Sequence, residues 1–208
     1  MNPDQQDTRP PTHQLDPEAV VRELLDCGIT HVITVPDYVM LSVYRALEAK
    51  PATHPQLIYT CTEDEAVTMA AGLHIGGARP MVMMQNQGLY ASLNAVRAVG
   101  IDARLPLFMM IGQFGREYAN LGRSRQESTR PLVRNCERIL EALDIPYFAC
   151  ERPEDVGNVS KAYRLSQEQQ WPCATLIGTY TAWPGAVTSD GDGAGGAPDA
   201  AQVHDAKR

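Results

Sequence analysis

Residues 56–85, QLIYTCTEDEAVTMAAGLHIGGARPMVMMQ, decide how this chain folds. An apolar run, QLIYTC, gives way to three acids and then to a helical pattern that ends in paired glycines. A second apolar run, PMVMMQ, follows at once. Both runs are apolar throughout instead of alternating, which suits strands covered on both faces of a parallel sheet. A helix between two such strands is a crossover connection, and crossovers are right-handed. Gly76 and Gly77 sit where a helix stops and the chain turns, so they are read as punctuation and not as a phosphate loop.

The same alternation extends in both directions. The helix PEAVVRELLDCG, with Gly28 as its stop, precedes the strand HVITVP. Beyond the central unit come the runs LPLFMMIG, IPYFAC and PCATLIG. Helical patterns separate them, at roughly 38–49, 63–76, 89–101, 133–143 and 153–168. Strict alternation predicts an α/β fold, a doubly wound and mostly parallel six-stranded sheet with helices on both faces. One domain is expected over residues 15–185. Residues 1–14 form a polar, proline-rich arm, and residues 186–208 a tail rich in Gly, Ala and Asp; both compositions favour disorder.

Composition excludes several classes of function. A formal net charge of -7 over 208 residues argues against binding a nucleic-acid backbone. The apolar runs are too short to span a membrane, and no signal peptide is evident. Cys27, Cys61, Cys136, Cys150 and Cys173 are scattered and never paired as C-x-x-C, which suits a reduced, cytoplasmic protein using thiols as core residues. The five histidines show no ligand spacing, so the chain is expected to hold no metal of its own. Neither a G-x-G-x-x-G nor a G-x-x-x-x-G-K-[ST] run occurs, which removes the self-contained nucleotide folds.

In doubly wound sheets, ligands sit outside the carboxyl ends of the strands. The loops there read PDY, TED, NQGLY and the long GQFGREYANLGRSRQESTRP. Glu63, Asp64 and Glu65 open the central helix. Acids in a first turn favour the positive end of the helix dipole, so capping explains all three. Glu63 has a second reading, because it directly follows a strand read as buried. A partly desolvated carboxyl favours its neutral, hydrogen-bond-donating form, which can protonate or polarise a ring nitrogen.

The runs TVPDYVMLSVYRAL, CTEDEAVTMAAGLHIGGARPMVMMQNQGLYASLNAV and LPLFMMIG resemble the pyrimidine-binding (PYR) domain of thiamine-diphosphate-dependent 2-oxoacid decarboxylases. Within that group the likeness is to sulfopyruvate decarboxylase alpha subunits and phosphonopyruvate decarboxylases, and it covers roughly residues 17 to 180. Glu63 lies nine residues before Gly72, the spacing of that family's catalytic glutamate. The resemblance implies that Glu63 hydrogen-bonds N1′ of the cofactor's aminopyrimidine and promotes its imino form. It places Pro36 and the catalytic candidate Asp37 near the pyrimidine and the reacting carbon, and Asn86, Gln87 and Gly88 in a turn beside the aminopyrimidine. Tyr38 and Arg116 are its substrate-side candidates.

The family's motif for diphosphate and Mg²⁺, a G-D-G followed downstream by paired asparagines, belongs to a second domain. The chain has GDG at residues 191–193, but no strand precedes it and no asparagine follows, so it is read as a chance match. The resemblance therefore implies a beta subunit that carries the PP domain and holds the diphosphate and Mg²⁺, in an alpha2beta2 or higher assembly. The fourth carboxyl-end loop holds Arg116, Arg123, Arg125 and Arg130, and Arg104 precedes the strand before it. They suit either a substrate with a second anionic group or a solvated basic loop. An acetolactate-synthase-like carboligase and a non-catalytic subunit retaining the fold both remain open.

Overall fold

Asp16 accepts a hydrogen bond from the Glu18 N–H at 3.0 Å and Pro17 takes the first helical position, so α1 (Pro17–Asp26) starts where its capping residues demand. Gly28 ends it with φ +67, a conformation that costs glycine little. The computed structural model describes residues 15–178 and residue 181. The expected N-terminal arm, the expected tail and its GDG triplet lie outside the described residues.

After α1 the chain alternates as β1 (His31–Thr34), α2 (Leu41–Ala49), β2 (Gln56–Tyr59), α3 (Glu63–Ile75) and β3 (Pro80–Gln85). It continues through the short helices α4 (Asn86–Ala91) and α5 (Leu93–Ala95), a π-helical stretch Val96–Asp102, and β4 (Phe108–Gly112). The last elements are α6 (Pro131–Ala142), β5 (Tyr147–Cys150), α7 (Asn158–Gln169) and β6 (Cys173–Ile177). The six strands form one sheet in the order β2-β1-β3-β4-β6-β5, and every pairing is parallel.

The six apolar runs are thus the six strands, and the α/β doubly wound reading holds. Right-handed crossovers place α1, α2 and α7 on one face and α3 to α6 on the other, each over its own apolar cluster. Met81, Met83, Met84, Met109 and Met110 on β3 and β4 are all fully buried between these layers. Burying a side chain of that size stabilises the fold by roughly 1.5–3 kcal/mol.

Three expectations need correction. The run QLIYTC is not a covered strand: β2 is the sheet edge, and Tyr59 is 51% exposed there. The pattern at 89–101 is not one α-helix, because Ser92 separates α4 from α5 and the turn widens to π geometry at Val96–Asp102. Gly100 lies within that stretch against Pro172, where a Cβ would meet the proline ring. The third concerns residues 153–168, of which Pro153–Asp155 form a separate 3-10 turn ahead of α7.

What positions the site is the strand order. The chain leaves β1 toward β2 on one side and leaves β3 toward β4 on the other. The carboxyl ends of β1 and β3 therefore flank a crevice at the topological switch point.

Candidate active site

The loop after β1 carries the most buried acid. Asp37 is 1% exposed, and burial pushes its carboxyl up to about 7, partly offset by the Val39 N–H donated to Oδ1 at 2.8 Å and by the Gln85 side chain. Its Oδ2 has no hydrogen-bond partner among the described residues. That oxygen lies against Gly112 at the end of β4, where any Cβ would overlap it.

The backbone of Asp37 is held separately. Its N–H donates to the Tyr44 phenol oxygen at 2.9 Å, and that phenol pairs with the Thr34 hydroxyl at 3.0 Å. The Thr34 hydroxyl in turn donates to the Met83 carbonyl at 2.8 Å. With the phenol accepting from Asp37, its own proton points to Thr34, and the chain runs in one direction from the loop after β1 to strand β3. Burial raises the Tyr44 phenol well above its ordinary range, so it keeps that proton.

The three acids at the head of α3 divide their work. Glu65 Oε2 accepts the Cys61 N–H at 2.9 Å, which ties the helix back to the residue ahead of its N-cap Thr62. Asp64 is fully exposed, and the hydrogen bond from Thr62 holds its carboxyl below the ordinary range. Glu63 accepts no hydrogen bond from the described residues. It is only half-buried, because the strand before it is an edge. Its carboxyl packs on Gly88, where a Cβ would fall 2.6 Å from Oε1. Glu63 thus takes no part in the bonds at the helix start, and its carboxyl stays available to a ligand.

The expected turn at Asn86, Gln87 and Gly88 is instead the first turn of α4, with Gln85 extended before it. Asn86 is fully buried and serves the scaffold: its Nδ2 donates to the Phe114 carbonyl at 3.1 Å and its Oδ1 receives the Gln87 N–H at 3.0 Å. Gln87 is exposed, as are Pro36 and Tyr38. The loops after β1, β2, β3 and β4 therefore meet through three contacts: Asp37 on Gly112, Glu63 on Gly88, and Asn86 on Phe114.

Arg116, a substrate-side candidate by sequence, is turned inward in this chain. Its side chain is 2% exposed and ion-paired with Glu151, while its guanidinium also donates to the Asn120 carbonyl at 3.0 Å and the Arg123 carbonyl at 3.1 Å. Arg125 bridges Glu151, at 2.6 Å, to Glu137. Two guanidinium groups and two carboxylates neutralise one another beneath the loop after β4, as buried charges must. Arg104 lies at the other end of the sheet over the Trp171 ring, 5.9 Å from its centroid. Arg123 and Arg130 remain exposed on the loop.

Sequence reasoning missed Tyr44, Thr34 and Gly112. Only Gly112 carried a signal, since a glycine ending a buried strand marks a close approach. Among the described residues, no three His, Cys, Asp or Glu side chains are grouped to hold a metal, and no helix is long and apolar enough to cross a membrane. The arrangement offers an unpaired, half-exposed carboxylate and a buried acid that holds a proton up to neutrality. Such a pair suits a ligand that both gives and takes protons.

Residues 17–132 match the family described as thiamine pyrophosphate enzyme, N-terminal TPP binding domain. The chain is 28% identical over 162 residues to the sulfopyruvate decarboxylase subunit alpha of Methanococcus maripaludis, covering 77% of this chain and 92% of that protein. It is 28% identical over 147 residues to the protein of the same name from Methanothermobacter thermautotrophicus, covering 69% and 85%. A sulfopyruvate decarboxylase of Methanosarcina acetivorans is 23% identical over 164 residues, which span 78% of this chain but 40% of that longer protein.

Proposed function

We propose, because this chain belongs to the thiamine pyrophosphate enzymes through their N-terminal TPP binding domain, that it is the alpha subunit of a two-subunit 2-oxoacid decarboxylase, a carbon–carbon lyase. The observation that carries this reading is the availability of Glu63. Glu65 is taken up by the Cys61 N–H and Asp64 by Thr62, while Glu63 is left on a glycine wall with no hydrogen-bond donor among the described residues. The residues fit the aminopyrimidine of thiamine diphosphate: a free carboxylate for a ring nitrogen, and a buried Asp37 whose Oδ2 lacks a partner.

When bound, the cofactor supplies the electron sink for loss of carbon dioxide from the 2-oxoacid. Glu63 holds a proton at the pyrimidine N1′ and orients the ring. Asp37 holds a proton near the reacting carbon, because burial keeps its carboxyl protonated up to about pH 7. Tyr44 and Thr34 fix the backbone that carries it. Pro36, Tyr38, Gln87 and Gly88 line the approach, and Asn86 ties that wall to the loop after β4. Arg116 stabilises this loop from within, which leaves Arg123 and Arg130 as its exposed cations.

Diphosphate and Mg²⁺ are held by a beta subunit bearing the PP domain, in an alpha2beta2 or larger assembly. Two observations support a partner. Relatives of similar length carry the name subunit alpha, and this chain matches only 40% of the longer Methanosarcina acetivorans protein. The substrate is sulfopyruvate- or phosphonopyruvate-like; the names of the same relatives support the first, and the second shares its extra anionic group. Five free thiols, four of them buried, suit a cytoplasmic setting.

The test is calorimetric binding of thiamine diphosphate with Mg²⁺ to this chain alone and to its complex with the candidate beta subunit. Binding only in the complex supports a shared site. No binding in either sample refutes the enzyme reading.

A further inference from the structure

Thr181, beyond the last strand, lies against the loop that carries Asp37. Its backbone N–H donates to the Val39 carbonyl at 3.1 Å, and its hydroxyl reaches the same carbonyl at 3.2 Å. The Ser42 hydroxyl, in the first turn of α2, donates to the Thr181 hydroxyl oxygen. Leu15, fully buried, completes the arrangement by forming a parallel bridge with Thr181.

Val39 faces both ways in this arrangement. Its carbonyl is held by Thr181, and its N–H donates to Asp37 Oδ1 at 2.8 Å. The Val39 N–H holds the carboxyl by Oδ1, and the Gln85 side chain acts on the same group. The two bonds of Val39 sit on either side of its Cα, so holding the Val39 carbonyl restrains the φ and ψ that aim its N–H at the acid.

We propose that Thr181 is a positioning residue for Asp37, acting with Ser42 through the Val39 peptide. The proposal deepens the reading of Asp37 as part of the active site, yet it concerns geometry within this chain. Loosening the Thr181 contacts frees the backbone on either side of the Val39 Cα and weakens the hydrogen bond to Oδ1. Tyr44 is the other titratable group against Asp37, and its contact with the Asp37 N–H does not involve Thr181.

The experiment uses the full chain without cofactor, so its outcome is independent of whether thiamine diphosphate binds. Thr181→Val keeps the shape and removes the hydroxyl, Thr181→Ser keeps the hydroxyl, and Ser42→Ala removes the donor from the other side. Two readouts are taken: hydrogen exchange of the Val39 amide, and titration of the Asp37 carboxyl by carbon-13 NMR. Thr181→Val and Ser42→Ala should each speed Val39 exchange roughly tenfold, the equilibrium worth of one ordinary hydrogen bond. Both should also move the Asp37 midpoint up from about 7, because the Val39 N–H is one of the groups that hold it down. Thr181→Ser should behave as the parent chain. A Thr181→Val protein whose melting point falls while both readouts stay at parent values overturns the proposal, as does failure of Thr181→Ser to restore them. Should Thr181→Val not fold, Ser42→Ala decides between the same two outcomes on the same readouts.

Discussion

Asp37 and Gly112 meet at the carboxyl end of the sheet: the carboxyl Oδ2 of the first occupies the space that a Cβ on the second would fill. A buried carboxyl group with an unsatisfied oxygen costs stability. Placing it beside a glycine in a central strand is therefore a commitment that the packing of this protein makes to one acid.

That contact predicts the effect of Gly112→Ala. The added methyl must displace the Asp37 carboxyl or the strand, and overpacking of this kind destabilises by about 1–3 kcal/mol. Asp37→Ala in the same chain should relieve most of that loss. Urea unfolding of the two single variants and the double variant measures the coupling. Additive effects would mean that the two residues do not share this space.

Asp37 also sets a pH dependence. Its folded value of about 7 lies above the ordinary 3.8, so the native state binds the proton more tightly than the unfolded chain does. The sign is then fixed: this group's stabilisation is full below pH 4, fades as pH rises toward 7, and is flat beyond. Between pH 5 and 8 the parent chain should lose on the order of 3 kcal/mol through this group. Asp37→Asn removes the titration, so the variant should be the more stable of the two at pH 8. Parallel stability curves for parent and variant would show that Asp37 does not titrate in this window.

Glu63→Gln separates catalysis from folding. With no hydrogen bond from the described residues to lose, the variant should stay within about 0.5 kcal/mol of the parent's stability. In the assembled enzyme its turnover of a 2-oxoacid should fall about 10²–10⁴-fold, the usual worth of a positioned proton-transfer group. Activity close to the parent's would remove Glu63 from the mechanism. A large loss of stability would return it to the role of helix cap.

Arg116 is expected to matter for stability and not for substrate affinity. Arg116→Met leaves Glu151 buried beside a single cation, Arg125, and breaking a buried pair costs about 3–5 kcal/mol. Denaturation of the isolated chain measures that cost. A variant as stable as the parent, with a raised KM for an anionic 2-oxoacid, would restore the substrate-facing role that the sequence suggested.

By itself, the sequence determined the strands, their parallel pairing and the loops where a site had to form. Apolar runs without alternation, separated by helical periods and closed by Gly28 and Gly76, leave a doubly wound sheet as the consistent solution. It also isolated Glu63 among three acids, through the family resemblance and not through composition. Tertiary structure decided how each carboxyl is used, because exposure and partners depend on which strands become edges and which residues distant in sequence arrive beside them. QLIYTC reads like any covered strand, but its place at the sheet edge left Glu63 half-open. PDY reads like any turn, but Gly112, Tyr44 and Thr181 close around it from three other parts of the chain, making Asp37 the deeply buried acid and leaving Arg116 to bind Glu151. Burial and pairing are properties of long-range contacts, which no local pattern encodes.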